Sequence, residues 1–186
     1  MEIRPMTTED LRSLAEIDGT IESTQYLHLD KSTDGLAMNV RVESRPTREK
    51  QILSNPVDDD LSIIWKQVAS GIDDGIALAT EHDGKLVGAA LAQPDPARGT
   101  MRLLDVRIDY DFRRQGLGTA LVFRIIQTAR DAELRAVSAE ARSNNYPANQ
   151  FLLKTGFDLS GVDVRRHSNH DMVKESATLF WYAALD

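Results

Sequence analysis

The chain has 186 residues, 41% apolar and 27% charged, which suits one globular domain over residues 1–186 and argues against wholesale disorder. It contains no cysteine, so disulfide scaffolds, thiolate zinc sites and cysteine nucleophiles are excluded. The net charge of −7, from 22 Lys plus Arg against 29 Asp plus Glu, disfavours general nucleic-acid affinity and is compatible with a cationic small-molecule partner.

The opening residues, MEIRPMTTEDLRSLAEID, lack the basic-then-apolar layout of a signal peptide. No apolar run approaches membrane-spanning length, so a cytoplasmic protein with no membrane partner is expected. Ile3 to Met6 is a short strand, and Thr7 or Thr8 can cap a helix running to about Ile17. Tyr26, Leu27 and Leu29, then Met38, Val40 and Val42, alternate as short strands do, with KSTDG between them as a turn. Asp58 to Asp60 open a second helix that closes at Gly71, their charge suiting the helix dipole. Ile76 to Thr80 and Leu86 to Ala92 flank His82-Asp83-Gly84 as a hairpin, and Pro94 and Pro96 are expected to end its second strand. Met101 to Ile108 forms the next strand. A helix follows from about Gly116 to Asp131, with Leu117, Leu121, Ile125 and Ala129 stepping by four. Ala136 to Ala141 is a strand, Pro147 to Thr155 a helix stopped by Gly156, and Gly161 to Leu185 two strands around the polar loop RRHSNHD. Strand, helix, strand, helix predicts a parallel pair with a right-handed crossover inside one mixed α/β domain.

Residues 113–118, RRQGLG, join an apolar strand to a helix. Such a glycine turn presents free N–H groups at the positive end of a helix dipole and makes an anion site for which diphosphate is the common occupant. A Walker loop needs Gly-Lys-Ser/Thr after its second glycine, and Gly118 is followed by Thr119-Ala120. A dinucleotide fingerprint needs Gly or Ala where Leu121 stands. The stretch does fit Gln/Arg-x-x-Gly-x-Gly/Ala through Arg113, Gly116 and Gly118. Downstream, NYPANQFLLKTGF supplies Asn145, Ala148, Phe151, Gly156 and Phe157 at matching spacings. Over some sixty residues the chain resembles the GNAT superfamily of acetyl-CoA-dependent N-acetyltransferases, and its C-terminus (GVD, then LFWY) resembles the streptothricin acetyltransferases.

The resemblance implies a single GNAT-like α/β domain: a mixed central sheet flanked by helices, with its parallel pair splayed at the acetyl-CoA site. It implies that Val106, Arg107 and Ile108 offer strand-edge backbone to the pantetheine arm. Amides from Arg114, Gln115, Gly116, Leu117, Gly118 and Thr119 would hold the pyrophosphate, with charge added by Arg113 and Arg114. Asn145 would bond the pantetheine end near the thioester, with Phe151 on the same helix.

The reaction implied is direct transfer of acetyl to an amine. An alkyl ammonium of pKa near 10.4 costs about 4.6 kcal/mol to deprotonate at pH 7, so a base is needed. Glu140, five residues before Asn145, and Asp105, a charge inside the apolar run LLDVRI, are the catalytic candidates. Glu140 could instead pair with Arg142 or Arg107, and Asp105 could cap a sheet rim. Leu152 stands where the superfamily often has the Tyr that protonates the departing thiolate, leaving the general acid unassigned. Trp181 and Tyr182 are candidate substrate-binding residues, although such a pair on a closing strand is more often core; Glu175 and Asp163 could add negative potential. His167 and His170 lack a third ligand, so no metal is assigned, and RRH at 165–167 reads as a solvated loop.

A cationic small-molecule amine, streptothricin-like, is the expected acceptor, and a homodimer is left open. Two other functions fit the same motifs. One is a protein N-terminal acetyltransferase of the ribosomal-protein type, and the other a non-catalytic acyl-CoA-binding module.

Overall fold

The structure, a computed structural model, describes residues 1–185. Its strands are β1 (Ile3–Pro5), β2 (Ile21–Asp34), β3 (Ala37–Leu53), β4 (Ile76–His82), β5 (Lys85–Asp95), β6 (Thr100–Ile108), β7 (Ala136–Arg142), β8 (Asp158–Asp163) and β9 (Thr178–Ala184). Its helices are α1 (Leu11–Leu14), α2 (Asp59–Ala69), α3 (Leu117–Asp131) and α4 (Tyr146–Lys154). Seven strands are hydrogen-bonded in the order β1-β4-β5-β6-β7-β9-β8, while β2 and β3 form a separate two-stranded sheet. The β6–β7 pair is parallel, with α3 as its crossover, and β5–β6 is antiparallel, so the larger sheet is mixed as expected.

Contacts divide the residues into two interleaved units. The first holds Met1–Thr20, Ser54–Ala139 and the residues from Ala183. Its core joins Met6, Leu14 and Ile17 to Trp65 and Val68 of α2 and to Ala77, Ala79, Ala89 and Leu91 of β4 and β5. The small residues along β4 and β5 let the helices pack close to the sheet. On α3, Leu121, Val122, Ile125, Ile126 and Ala129 are buried, the apolar face that the four-residue stepping predicts, and the helix packs on β5 and β6.

The second unit holds Ile21–Leu53 and Glu140–Tyr182. Here α4 packs on β2, and the Leu27 N–H donates to the Ser143 carbonyl at 2.9 Å. Beyond Leu29, both strands of the β2–β3 ribbon are mostly exposed.

Three local expectations are corrected. The segment Lys31 to Asp34 is strand rather than turn, paired residue by residue with Ala37 to Val40. Because that ribbon is exposed, polar side chains are no obstacle to strand, and the reversal falls where Gly35 supplies φ +57°. The helix expected behind a Thr7 or Thr8 cap and running to about Ile17 is only Leu11–Leu14, with Asp10 accepting from the Thr7 N–H (2.7 Å) and held bidentately by Arg4 (2.8 Å each), which fixes a turn ahead of it. Pro94 lies inside β5 opposite Met101. Pairing with β4 stops at Ala92, so the N–H that proline lacks has no strand waiting for it. Among the described residues no helix is long and apolar enough to cross a membrane.

Candidate active site

The turn from β6 into α3 is built for an anion. Arg114 and Gly116 both take left-handed backbone (φ +60° and +83°), which turns successive N–H groups toward one side. No side chain caps α3, its first turn contains no acidic residue, and its first main-chain bond is Ala120 N–H to Gly116 O at 2.9 Å. The N–H groups of Leu117, Gly118 and Thr119 therefore have no partner inside the helix. A Cβ built on Gly116 would meet nothing within 4 Å, so the cradle opens on free space. These features fit a diphosphate.

Beside the cradle, β6 pairs with β7 only from Thr100 to Leu103, opposite Ala136 to Ala139. From Leu104 to Ile108 that edge of β6 has no paired strand among the described residues. Val106 and Ile108 thus turn main-chain groups to the open edge, the arrangement a strand-like ligand needs. Those of Arg107 between them face β5, as the Asp109 N–H bond to the Val87 carbonyl (2.8 Å) fixes the alternation; this corrects the expectation for Arg107.

Arg113 has a different task from the expected phosphate contact. Its Nε donates to the Ile108 carbonyl (3.0 Å), Nη1 to Thr20 (2.6 Å) and Nη2 to Asp18 (2.9 Å), and its guanidinium lies 5.2 Å from the Tyr110 ring. The fork is saturated by carbonyls and braces the end of β6 against residues 18–20. Exposed Arg114 is the cation left to face an anion. Arg113→Ala is expected to cost about 2–3 kcal/mol through three lost charge-assisted bonds, a fall of roughly 5–10 °C in Tm. Arg114→Ala should leave Tm within a degree or two; thermal denaturation of both variants checks the contrast.

Asp105 and Arg107 form a buried ion pair. Their side chains are 7% and 2% exposed, and Arg107 Nε lies 2.8 Å from Asp105 Oδ2. The same carboxylate oxygen accepts from Trp65 Nε1 at 3.0 Å, and Arg107 Nη1 reaches the Asn55 carbonyl at 3.3 Å. Asp105 therefore does not cap a sheet rim: its charge is answered inside the core.

In the second unit, Ala141 is buried while Glu140 and Arg142 are exposed. The partner of Glu140 is neither Arg142 nor Arg107 but Arg166, whose Nη2 lies 2.8 Å from Oε1. That guanidinium also sits 5.3 Å from the Phe180 ring. The loop read as solvated thus supplies the carboxylate's counter-ion, a long-range contact that local sequence does not encode.

Asn145 is the N-cap of α4, its Oδ1 accepting from Ala148 N–H at 3.2 Å, which leaves its amide N–H₂ to donate. Phe151 is half-buried and Leu152 is 5% exposed, packed as an apolar residue. Trp181 is 4% exposed and donates through Nε1 to Asn149 at 2.9 Å, which makes it core rather than an exposed lining. Buried Asn149 also donates to the Arg142 and Asn145 carbonyls at 2.8 and 2.9 Å, tying α4 to β9 and to the end of β7. Sequence reasoning missed it; an Asn one turn beyond the capping Asn145 was the available signal. Tyr182 is half-buried opposite Asp158.

Glu175 is not free to act alone, since its carboxylate lies 2.9 Å from His28 Nδ1, whose Nε2 lies 3.1 Å from Asp30. Burial lowers the His28 pKa, but the hydrogen bonds its ring makes to the Glu175 and Asp30 carboxylates outweigh it and raise the value. Asp163 accepts from the Arg165 N–H at 2.8 Å. His167 donates its N–H to Asp171, which is held below the usual carboxylate range first by that bond. No group of three or more His, Asp or Glu suited to a metal occurs among the described residues.

Residues 41–157 match the model of the Acetyltransferase (GNAT) family. Streptothricin acetyltransferase A of Bacillus subtilis (strain 168) is 32% identical over 78 residues, 42% of this chain and 44% of that protein. The match thus spans less than half the length of that curated relative. Among solved structures, a nourseothricin acetyltransferase aligns over 100% of this chain and 98% of its own, at TM-score 0.80 and 18% identity. A protein assigned as a streptothricin acetyltransferase from Bacillus anthracis str. Ames, solved in complex with acetyl coenzyme A, aligns over 98% of both chains at TM-score 0.78 and 21% identity. With the family model covering more than half of its residues, this chain belongs to the GNAT family of acetyltransferases.

Proposed function

We propose that the chain is an acetyl-CoA-dependent N-acetyltransferase acting on a primary amine of a cationic small molecule, with a streptothricin-like acceptor the first candidate. The observation that carries it is the uncapped N-terminus of α3 behind the open edge of β6, in a chain of this family. The similarity to streptothricin acetyltransferase A and the net charge of −7 support the acceptor class.

In this scheme the amides of Arg114 to Thr119 hold the diphosphate, the open-edge main-chain groups of Val106 and Ile108 pair with the pantetheine arm, and the Asn145 amide donates to its far end. The bound donor supplies an activated acetyl thioester. Glu140, exposed and ionisable, accepts the proton from the acceptor ammonium, against the cost of about 4.6 kcal/mol at pH 7. The amine nitrogen would bond the acetyl carbon as the carbon–sulfur bond breaks; the nitrogen would lose its second proton to water and the departing thiolate would take one back from water, since Leu152 has none to give. Asp105 is the weaker base candidate because Trp65 and Arg107 already engage it.

Thiol release from acetyl-CoA with purified protein tests this against streptothricin, lysine, polyamines, aminoglycosides and short peptides with free N-termini. Release with streptothricin is the expected result. Release only with peptides would move the function to protein N-terminal acetylation. Binding of acetyl-CoA without release for any amine would leave an acyl-CoA-binding module.

A further inference from the structure

Arg166 carries two contacts that a solvated loop residue does not need. Its guanidinium is 2.8 Å from Glu140 and 5.3 Å from the Phe180 ring, between a carboxylate and the face of an aromatic side chain. That pairing of groups is what selects organic cations, because the carboxylate answers the charge and the ring quadrupole answers the desolvated face. The loop carrying Arg166 is itself fixed a few residues on. Asp171, 2% exposed, accepts from the His167 N–H at 2.9 Å and the Ser168 hydroxyl at 2.8 Å. Arg166 therefore projects from an anchored segment, and only its flexible side chain has to move to free Glu140.

We propose that Arg166 is a specificity-determining residue that occupies, from within the chain, the seat an acceptor's cationic amine takes between Glu140 and Phe180. This rests on the assignment of Glu140 to the acceptor side made above. Arg166 reaches one oxygen of Glu140 and lies over the Phe180 ring as well, so an acceptor cation that is to engage carboxylate and ring together must displace it. A neutral or anionic amine gains nothing from Glu140 or Phe180 that would offset that displacement. The competition thus favours cations able to present an ammonium or guanidinium to both groups at once. Both side chains of the pair are about two-fifths exposed, so the latch is weak enough to yield to such a ligand.

Calorimetric titration with streptothricin tests the proposal without requiring turnover. Arg166→Gln should bind it three- to tenfold more tightly than the wild type, the range that an exposed ion pair and ring contact support. Arg166→Lys should match the wild type, since an ammonium takes the same seat. In a Glu140→Gln background the gain should shrink below twofold, because the latch has lost its anchor. Unchanged or weaker binding by Arg166→Gln overturns the proposal, as does a full gain in the Glu140→Gln background or the absence of streptothricin binding in every variant. The base role of Glu140 fails separately: a Glu140→Gln enzyme that turns over at the wild-type rate removes the base, whatever Arg166 does to binding.

Discussion

Replacing Gly118 by aspartate is expected to abolish acetyl-CoA binding while leaving the protein folded. Gly118 is the second residue of α3, within the turn whose N–H groups have no helical partner and no capping side chain. A carboxylate placed there would sit in the field of the helix N-terminus, which stabilises a negative side chain by about 0.3–1 kcal/mol. The same placement sets a negative charge against the diphosphate. Two unit charges about 4 Å apart at an effective dielectric near 20 repel by roughly 4 kcal/mol, close to a thousandfold in affinity. The substitution therefore separates two quantities that most variants change together: Tm should hold or rise slightly, and the Kd for coenzyme A should rise by at least about a hundredfold. Gly118→Ala is the steric control and should lose far less, since it adds a methyl group without charge. Calorimetry with coenzyme A reads both variants. Wild-type affinity in Gly118→Asp would remove the diphosphate from this turn.

The parts of the candidate site legible in the sequence were those encoded by short spacing. Arg113, Gly116, Gly118 and the Asn145 to Phe157 segment lie on consecutive elements, and their order fixes a strand, a turn, a helix and a parallel return. The face of α3 was readable for the same reason, because a four-residue step is local. What could not be read is where long side chains end. Arg113 was expected at a phosphate and instead binds three carbonyls, two of them more than ninety residues away in sequence. For Glu140, a catalytic candidate, the alternative was an ion pair with Arg142 or Arg107, and its partner is instead Arg166, 26 residues on. Spacing along a strand gives the face a carboxylate occupies but not which loop returns over it. The ribbon β2–β3 was half legible: its alternation marked strands, but exposed polar residues such as Lys31 and Asp34 look the same in a turn and in a solvent-facing strand.

The buried pair offers the other large effect. Asp105→Ala should destabilise the protein by about 3–5 kcal/mol, because it leaves the Arg107 guanidinium charged and without its carboxylate in the core. For a chain of this length that is a loss of roughly 10 °C or more in Tm. Trp65 adds to the cost, since its indole N–H loses the oxygen it donates to at 3.0 Å. Asp105→Asn should cost less than Asp105→Ala, as the amide oxygen can still accept from Trp65 while the charge is gone. The double variant Asp105→Leu, Arg107→Met should recover most of the loss, because removing both charges also removes their desolvation, and the groups that lose a partner are the Trp65 N–H and the half-buried Asn55 carbonyl.

Stability and turnover then distinguish the two roles open to Asp105. If the carboxylate serves the fold, Asp105→Asn measured well below its lowered Tm keeps kcat within about threefold of wild type and keeps its pH profile. If it takes the acceptor's proton, kcat falls by a hundredfold or more at temperatures where the variant is fully folded, the range expected for loss of a general base. The geometry favours the first outcome: a carboxylate oxygen that already accepts from an indole and a guanidinium, at 7% exposure, has little room to meet a substrate proton. Glu140 differs on each count that matters for a base. It is exposed on its strand, and its counter-ion, Arg166, is a half-exposed side chain that can swing away.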